Sequence, residues 1–151
     1  MSIDINTILS TVKSHAQKTG YFTSVLLHEP KNAPADSTTA AIWADRFRPV
    51  RTSGLNSVSV LLVLRVRLYA NMLQEPQDAI DASLATVADA LMTAYAGDFE
   101  LGGAVRNVDI FGTYGFDFGC VFGYLSQDSV LFRTAEITLP IVINDVWTEA
   151  P

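Results

Sequence analysis

Residues 58–70 read VSVLLVLRVRLYA, and this stretch decides the fold class. Val58, Val60, Leu62, Leu64, Val66 and Leu68 alternate with Ser59, Leu61, Val63, Arg65, Arg67 and Tyr69. Successive side chains of a strand point to opposite faces, so the first set makes one wholly apolar face. The second set is apolar at its start and polar at its end. The spacing therefore predicts a strand that begins buried on both sides and then outgrows its core, as a protruding hairpin or an intersubunit contact does. A solvated sheet face is the commoner meaning of the same pattern.

Working outward, residues 53–57 (SGLNS) read as a turn. Before it, residues 38–52 are extended, with Ile42, Trp43 and Phe47 among Arg46, Arg48 and Arg51, and Pro49 predicts an edge, a bulge or a strand end. Pro30–Ser37 reads as a loop and Tyr21–Glu29 as a strand. Residues 3–18 carry Ile5, Ile8, Leu9, Val12 and Ala16 at helical spacing, with Asp4 and Lys18 suited to the two helix ends and Gly20 able to close it. After the decisive strand, Pro76 with Glu75, Asp78 and Asp81 opens a second helix, striped by Ile80, Leu84, Val87, Ala88, Leu91 and Tyr95 and ended by Gly97.

Gly102-Gly103 and Gly112–Gly115 read as turns. Phe116, Phe118, Cys120, Phe122 and Tyr124 then alternate with a nearly bare set, which predicts a strand whose aromatic face packs on the helices, with Phe118 and Phe122 in the core. Residues 126–129 turn the chain into a last strand, Val130–Asn144, apolar at Leu131, Ala135, Ile137, Leu139, Ile141 and Ile143, in which Pro140 predicts an edge or bulge. The order helix, strands, helix, strands predicts an α+β fold: a mostly antiparallel β-sheet packed on one face by two α-helices, with a long protruding strand or hairpin.

The chain of 151 residues fits a single domain over 1–151. With 49% hydrophobic and 17% charged residues it is not a disordered chain. Its mean hydropathy is +0.25, yet no apolar run approaches the roughly 18 residues of a membrane span. The first six residues, MSIDIN, lack the basic and apolar regions of a secretory leader. One cysteine, Cys120, cannot form an internal disulfide, which points to cytosolic synthesis.

The net charge of −6 hides an asymmetry. Residues 1–70 hold eight basic and four acidic groups, a net of +4; residues 71–151 hold two basic and twelve acidic groups, a net of −10. The charges either coat different solvated faces of one domain or make one basic and one acidic face that dock copies head to tail. The overall acidity disfavours a grip on nucleic-acid phosphates.

No motif of chemistry emerges. His15 borders an apolar helical stripe, and His28-Glu29-Pro30 lacks a second histidine at helical spacing. There is no CxxC, no Gly-x-Ser-x-Gly elbow and no phosphate loop; Gly112–Gly119 has the wrong spacing for a dinucleotide site and is followed by a predicted strand. Asp78 and Asp81 are explained by the helix dipole. No catalytic, cofactor-binding or metal-ligating residue is therefore nominated, and no enzyme is expected. The nominated residues are interface ones: Arg46 and Arg48 in the extended segment 38–52, and Arg65, Arg67 and Tyr69 at the polar end of residues 58–70.

Several phrases stand in a telling order: His28-Glu29-Pro30; Arg67-Leu68-Tyr69-Ala70-Asn71; Glu75-Pro76 before Ile80-Asp81; Arg106 to Gly115 (RNVDIFGTYG); and Leu139 to Trp147 (LPIVINDVW). In this order, over nearly the whole chain, they resemble the tail terminator proteins of long-tailed (siphovirus-type) bacteriophages, especially those of actinobacteria. The resemblance implies one tail-terminator-like domain, a minor structural tail protein of the virion. It would form a homohexameric ring at the head-proximal end of the tail tube, in the phage neck. Such a ring stops tube polymerisation and offers the surface for head–tail joining. The implied partners are further copies of the chain, the tail-tube protein and the head-completion or connector protein. Genomic DNA passes the lumen without specific binding, no membrane is involved, and assembly takes place in the bacterial host cytoplasm. The family has no catalytic residues or cofactors to carry over. Another neck or tube component, such as a head-completion protein or a tail-tube subunit, shares the size and the ring habit. A small ligand-binding domain with an aromatic pocket at Phe116, Phe118 and Phe122 is the reading from a different class.

Overall fold

The computed structural model describes residues 2–31, 38–53, 56–71 and 77–148. Most of the loop expected at Pro30–Ser37, the centre of the turn at 53–57 and the helix opening at Glu75 and Pro76 lie outside them. The described elements are α1 (Ile5–Lys18), β1 (Ser24–Leu26), β2 (Thr39–Ser53), β3 (Ser57–Asn71), α2 (Ile80–Gly97), β4 (Asn107–Val108), β5 (Gly119–Gln127) and β6 (Val130–Thr148). They build an α+β fold. The sheet runs β1-β2-β3-β6-β4, with β5 beside β6 on the same edge as β4. Every pairing is antiparallel except β1 with β2, so the sheet is mixed. The strand expected over Tyr21–Glu29 shrinks to three residues, because only Ser24–Leu26 reach β2, while Leu27, His28 and Glu29 are exposed.

Both helices lie on one face. Asp4 caps α1, its carboxylate accepting the Thr7 N–H at 3.4 Å and the Thr7 hydroxyl at 2.7 Å. Ile8, Val12 and Ala16 turn inward. All six residues of the expected α2 stripe are buried. The Tyr95 hydroxyl donates to the Val12 carbonyl at 3.1 Å and so ties helix to helix. Beneath them, Leu62, Leu64, Val66 and Leu68 of β3 stand beside Ile141, Leu139, Ile137 and Ala135 of β6 in register, and complete the core.

The long strands outrun this helix layer. The core ends at Ile42 of β2, Leu62 of β3 and Ile141 of β6, with Ile143 half-buried at its rim. Beyond it Phe47, 56% exposed, meets Trp147 edge-on at 6.0 Å. Register shifts at Ala44/Arg46 and Pro49/Arg51 put bulges in β2, as Pro49 predicts.

Three expectations need correction. First, the aromatic alternation does not all face the helices. β5 starts at Gly119, so Phe116 precedes it and packs on the opposite face. Phe118 and Cys120 are half-buried against the main core, but Phe122 and Tyr124, further along the edge strand β5, are 39% and 64% exposed. Second, Leu131 is exposed beside them. Third, Pro140 is not on an edge: it pairs with Val63, and its carbonyl accepts the Asp109 N–H at 2.9 Å from the other side. It is tolerated because it falls between the end of the β5 pairing at Thr138 and the start of the β4 pairing at Ile141. Its missing N–H faces that gap.

Candidate functional site on the open face

The face opposite the helices is formed by the second residue set of the decisive strand. Leu61 and Val63 are covered, Arg65 and Arg67 stand in the middle, and Tyr69 is buried at the far end. Antiparallel register places Thr138 and Glu136 of β6 opposite Arg65 and Arg67, and Trp43 and Ala41 of β2 opposite them on the other side.

The arginines are held rigidly. Arg65 reaches the Asp45 carboxylate at 3.2 Å and donates to the Thr138 hydroxyl at 2.7 Å. Arg67 binds Glu136 at 3.2 Å and Glu29 at 3.5 Å, donates to the Tyr69 hydroxyl at 3.2 Å, and lies 4.8 Å from the Trp43 ring centre. Burial opposes the charge on Arg67, but the Tyr69 hydroxyl and the Glu136 carboxylate outweigh it and raise the guanidinium above its ordinary value. Burial pushes the Tyr69 hydroxyl up. Burial also opposes ionisation of Asp45, yet hydrogen bonds from Arg46 and Arg65 hold its carboxyl below the usual range. Tyr69 itself packs edge-on against Phe132 at 5.7 Å, in a small cluster with Ala41.

The other end of the face is covered by the loop between β4 and β5. Asp109, 4% exposed, organises it: its carboxylate accepts the N–H groups of Thr113 and Tyr114 at 3.0 and 3.1 Å. Gly112 has a φ of +67°, and a Cβ there would strike the Asp117 carboxylate, so the turn requires glycine. The loop lays Tyr114 and Phe116 over Leu61, Val63 and Val142. Arg48 donates to the Tyr114 carbonyl, and Arg46 and Arg48 stand 4.9 and 5.4 Å from the Phe116 ring centre.

Between these ends runs a groove of about 390 Å³, floored by Thr134, Glu136 and Thr138 and walled by Arg65 and Arg67 on one side and Val121 and Gly123 on the other. All five nominated residues thus share one face. Arg46 and Arg65 share Asp45, Arg67 contacts Tyr69, and Arg46 and Arg48 meet on Phe116. Asp45, Glu136 and Asp109 complete the arrangement and were not nominated; Phe116, read as part of an aromatic pocket with Phe118 and Phe122, lies instead on the open face, away from them. Asp45 adjoins Arg46 in sequence, but Glu136 is joined to Arg67 only by strand register, which no local pattern carries. The charges and rings of this face are thus fixed by contacts within the chain.

No protein-family model matches the sequence, and no curated protein matches it. Among solved structures the fold is similar to the PVC sheath/tube terminator of an extracellular contractile injection system in its extended state, with a TM-score of 0.46 and 11% identity. The likeness covers 100% of this chain and 61% of that one, so this chain spans less than two thirds of that protein's length. Among the described residues, no helix is long and apolar enough to cross a membrane.

Proposed function

We propose that this protein is a non-catalytic structural subunit of a phage virion, a tail terminator that forms a hexameric ring at the head-proximal end of the tail tube. It ends tube growth, presents the surface to which the head connector joins, and lets DNA pass through its lumen. The observation that carries the reading is where the ordered phrases fall. Arg67 and Tyr69, the loop from Asp109 to Gly115, and Val142 within the closing phrase all belong to the open face of the sheet or to its cover. A cap must bind the tube end on one side and present a different surface on the other. A sheet with two helices on one face and a rigid arginine–carboxylate network on the opposite face has two unlike sides. The gene-deletion phenotype in the parent phage or prophage tests this. Overlong tails that fail to join heads are expected. Normal-length tails with unjoined heads would reassign the protein to head completion, and complete infectious particles would end both readings.

A further inference from the structure

Among the described residues the sheet has two long edges without a further strand, and they differ. Beyond Ile42, the outer side of β2 bears no strand among the described residues, but it carries Asp45, Arg46, Arg48, Pro49 and two bulges. Charges, proline and bulges are the devices that keep an edge from pairing with another chain. β5 has none of them. Its nine residues, GCVFGYLSQ, contain no charge and no proline, and they pair with β6 without a register shift. Val121 is 73% exposed, Tyr124 64% and Phe122 39%. Arg133, held by Asp81 at 2.9 Å, lies 4.4 Å from the Tyr124 ring centre and 5.7 Å from that of Phe122, so the two rings are fixed before anything binds them.

The chemistry of β5 is symmetric about Gly123. Phe122 and Tyr124 flank it, then Val121 and Leu125, then Cys120 and Ser126. The backbone has the matching phase. The two-residue turn at Asp128 and Ser129, with φ of 51° and 63°, closes on the pair Gln127 and Val130. In such a turn the closing pair is hydrogen-bonded, so by alternation Leu125, Gly123, Val121 and Gly119 also bond to β6. Cys120, Phe122, Tyr124 and Ser126 therefore aim their N–H and C=O groups outward. A second copy turned by a two-fold axis through Gly123 sets Phe122 against Tyr124 and Cys120 against Ser126, and these are the outward-bonding residues. Val121 falls opposite Leu125 on the open face, and glycine meets glycine at the axis.

We propose that two copies of this chain associate through their β5 edges, antiparallel about Gly123, to make one continuous sheet. The contact is isologous, so it uses up the edge on both copies and stops at two. It stands apart from the ring reading, in which unlike patches meet head to tail. It also involves no charged residue of the strand, so added salt does not weaken it.

Two measurements test the pairing. At about 1 M salt, where charge-driven contacts between copies are screened, sedimentation of the full-length protein should show twice the 16.4 kDa chain mass. Val121→Lys, at an exposed site, should return it to the chain mass with its secondary structure kept. For the register, Val121→Cys and Leu125→Cys are each placed on a Cys120→Ser background. In the pair, position 121 of one copy lies about 4.5 Å (Cα–Cα) from position 125 of the other, within disulfide reach. Like positions are roughly 13 Å apart. Oxidation should therefore cross-link the mixture of the two variants and neither alone. A wild-type chain that stays at the chain mass at every concentration and salt overturns the proposal. So does a mixture that fails to cross-link, or an assembly that salt dissolves and Val121→Lys leaves intact. That last result would leave a charge-driven ring standing.

Discussion

Asp98 follows the last residue of α2 and fastens that end to two neighbours. Its carboxylate accepts the Gly102 N–H at 3.0 Å and lies 2.8 Å from Nε2 of His15 on α1. The Gly102 N–H and then His15 hold the carboxyl below its ordinary value. A carboxyl depressed in the fold stabilises it fully above the ordinary aspartate range near pH 4, and that contribution is lost as pH falls through the folded value. The side chain is 37% exposed, so water screens the effect. Asp98→Asn should leave a shallower fall of melting temperature between about pH 4 and pH 2 than wild type shows. An identical acid limb would show that other carboxylates set it. Asp109 acts where water does not screen. Asp109→Ala strands the Thr113 and Tyr114 N–H groups and should cost about 1–3 kcal/mol. Amide exchange should rise at residues 113–116 first, because the carboxylate orders that loop and through it the Phe116 cover.

At the scale of elements, β5 departs most from what its pattern implies. Phe118 packs on the core and Phe122 does not, so alanine at the two sites should separate. Phe118→Ala should cost about 2–3 kcal/mol, the low side for a buried phenylalanine because the ring is only half-buried. Phe122→Ala should fall within about 1 kcal/mol, apart from any pairing it supports. Equal losses in chemical denaturation would mean that both rings are buried in solution. The reason for the split also explains what was legible. The α2 stripe could be read residue by residue, because a helix of 18 residues packed along its length buries one fixed side. The alternation in β5 says which residues share a face, but not how far the helix layer extends over it. Pro140 marks a missing donor, but whether that donor falls on an edge or in a gap depends on where β4 and β5 stop. The five nominated residues were chosen because they are charged or aromatic along two extended segments, and the structure sets them on one face. Glu136 and Asp109, which hold two of the partners in place, were invisible because they reach the face through register and a loop. Cys120 is half-buried, with its thiol pushed up by burial, so it should react more slowly with thiol reagents than a free cysteine.

At the scale of the whole molecule, part of the acidic excess of residues 71–151 lies on α2, while α1 beside it carries Lys13 and Lys18. From Gln77 to Gly97 the helix side carries Asp78, Asp81 and Asp89, all exposed, and no basic residue. The open face carries the arginines. Part of the complementarity is satisfied within the chain, since Arg65 and Arg67 bind Asp45, Glu136 and Glu29, and Arg133 binds Asp81. Arg46 and Arg48 remain largely exposed, the first despite its contact with Asp45. A ring built by unlike faces can draw on these two and on the acidic side of α2. Each exposed pair contributes only about 0–1 kcal/mol, so single reversals should do little and several together should do much. The expected outcome is a particle mass that falls as salt rises from about 0.05 to 1 M, since the Debye length shrinks from beyond a contact to within one. Arg46→Glu with Arg48→Glu should prevent assembly beyond the β5 pair at low salt, and so should Asp78→Lys with Asp89→Lys. A chain carrying all four changes should assemble again, because each neighbour then meets the opposite sign. Light scattering of the four proteins decides it. Assembly beyond the β5 pair in both half-reversed variants, or a mass indifferent to salt, would show that the contacts between copies are apolar and that the charges only coat the surface.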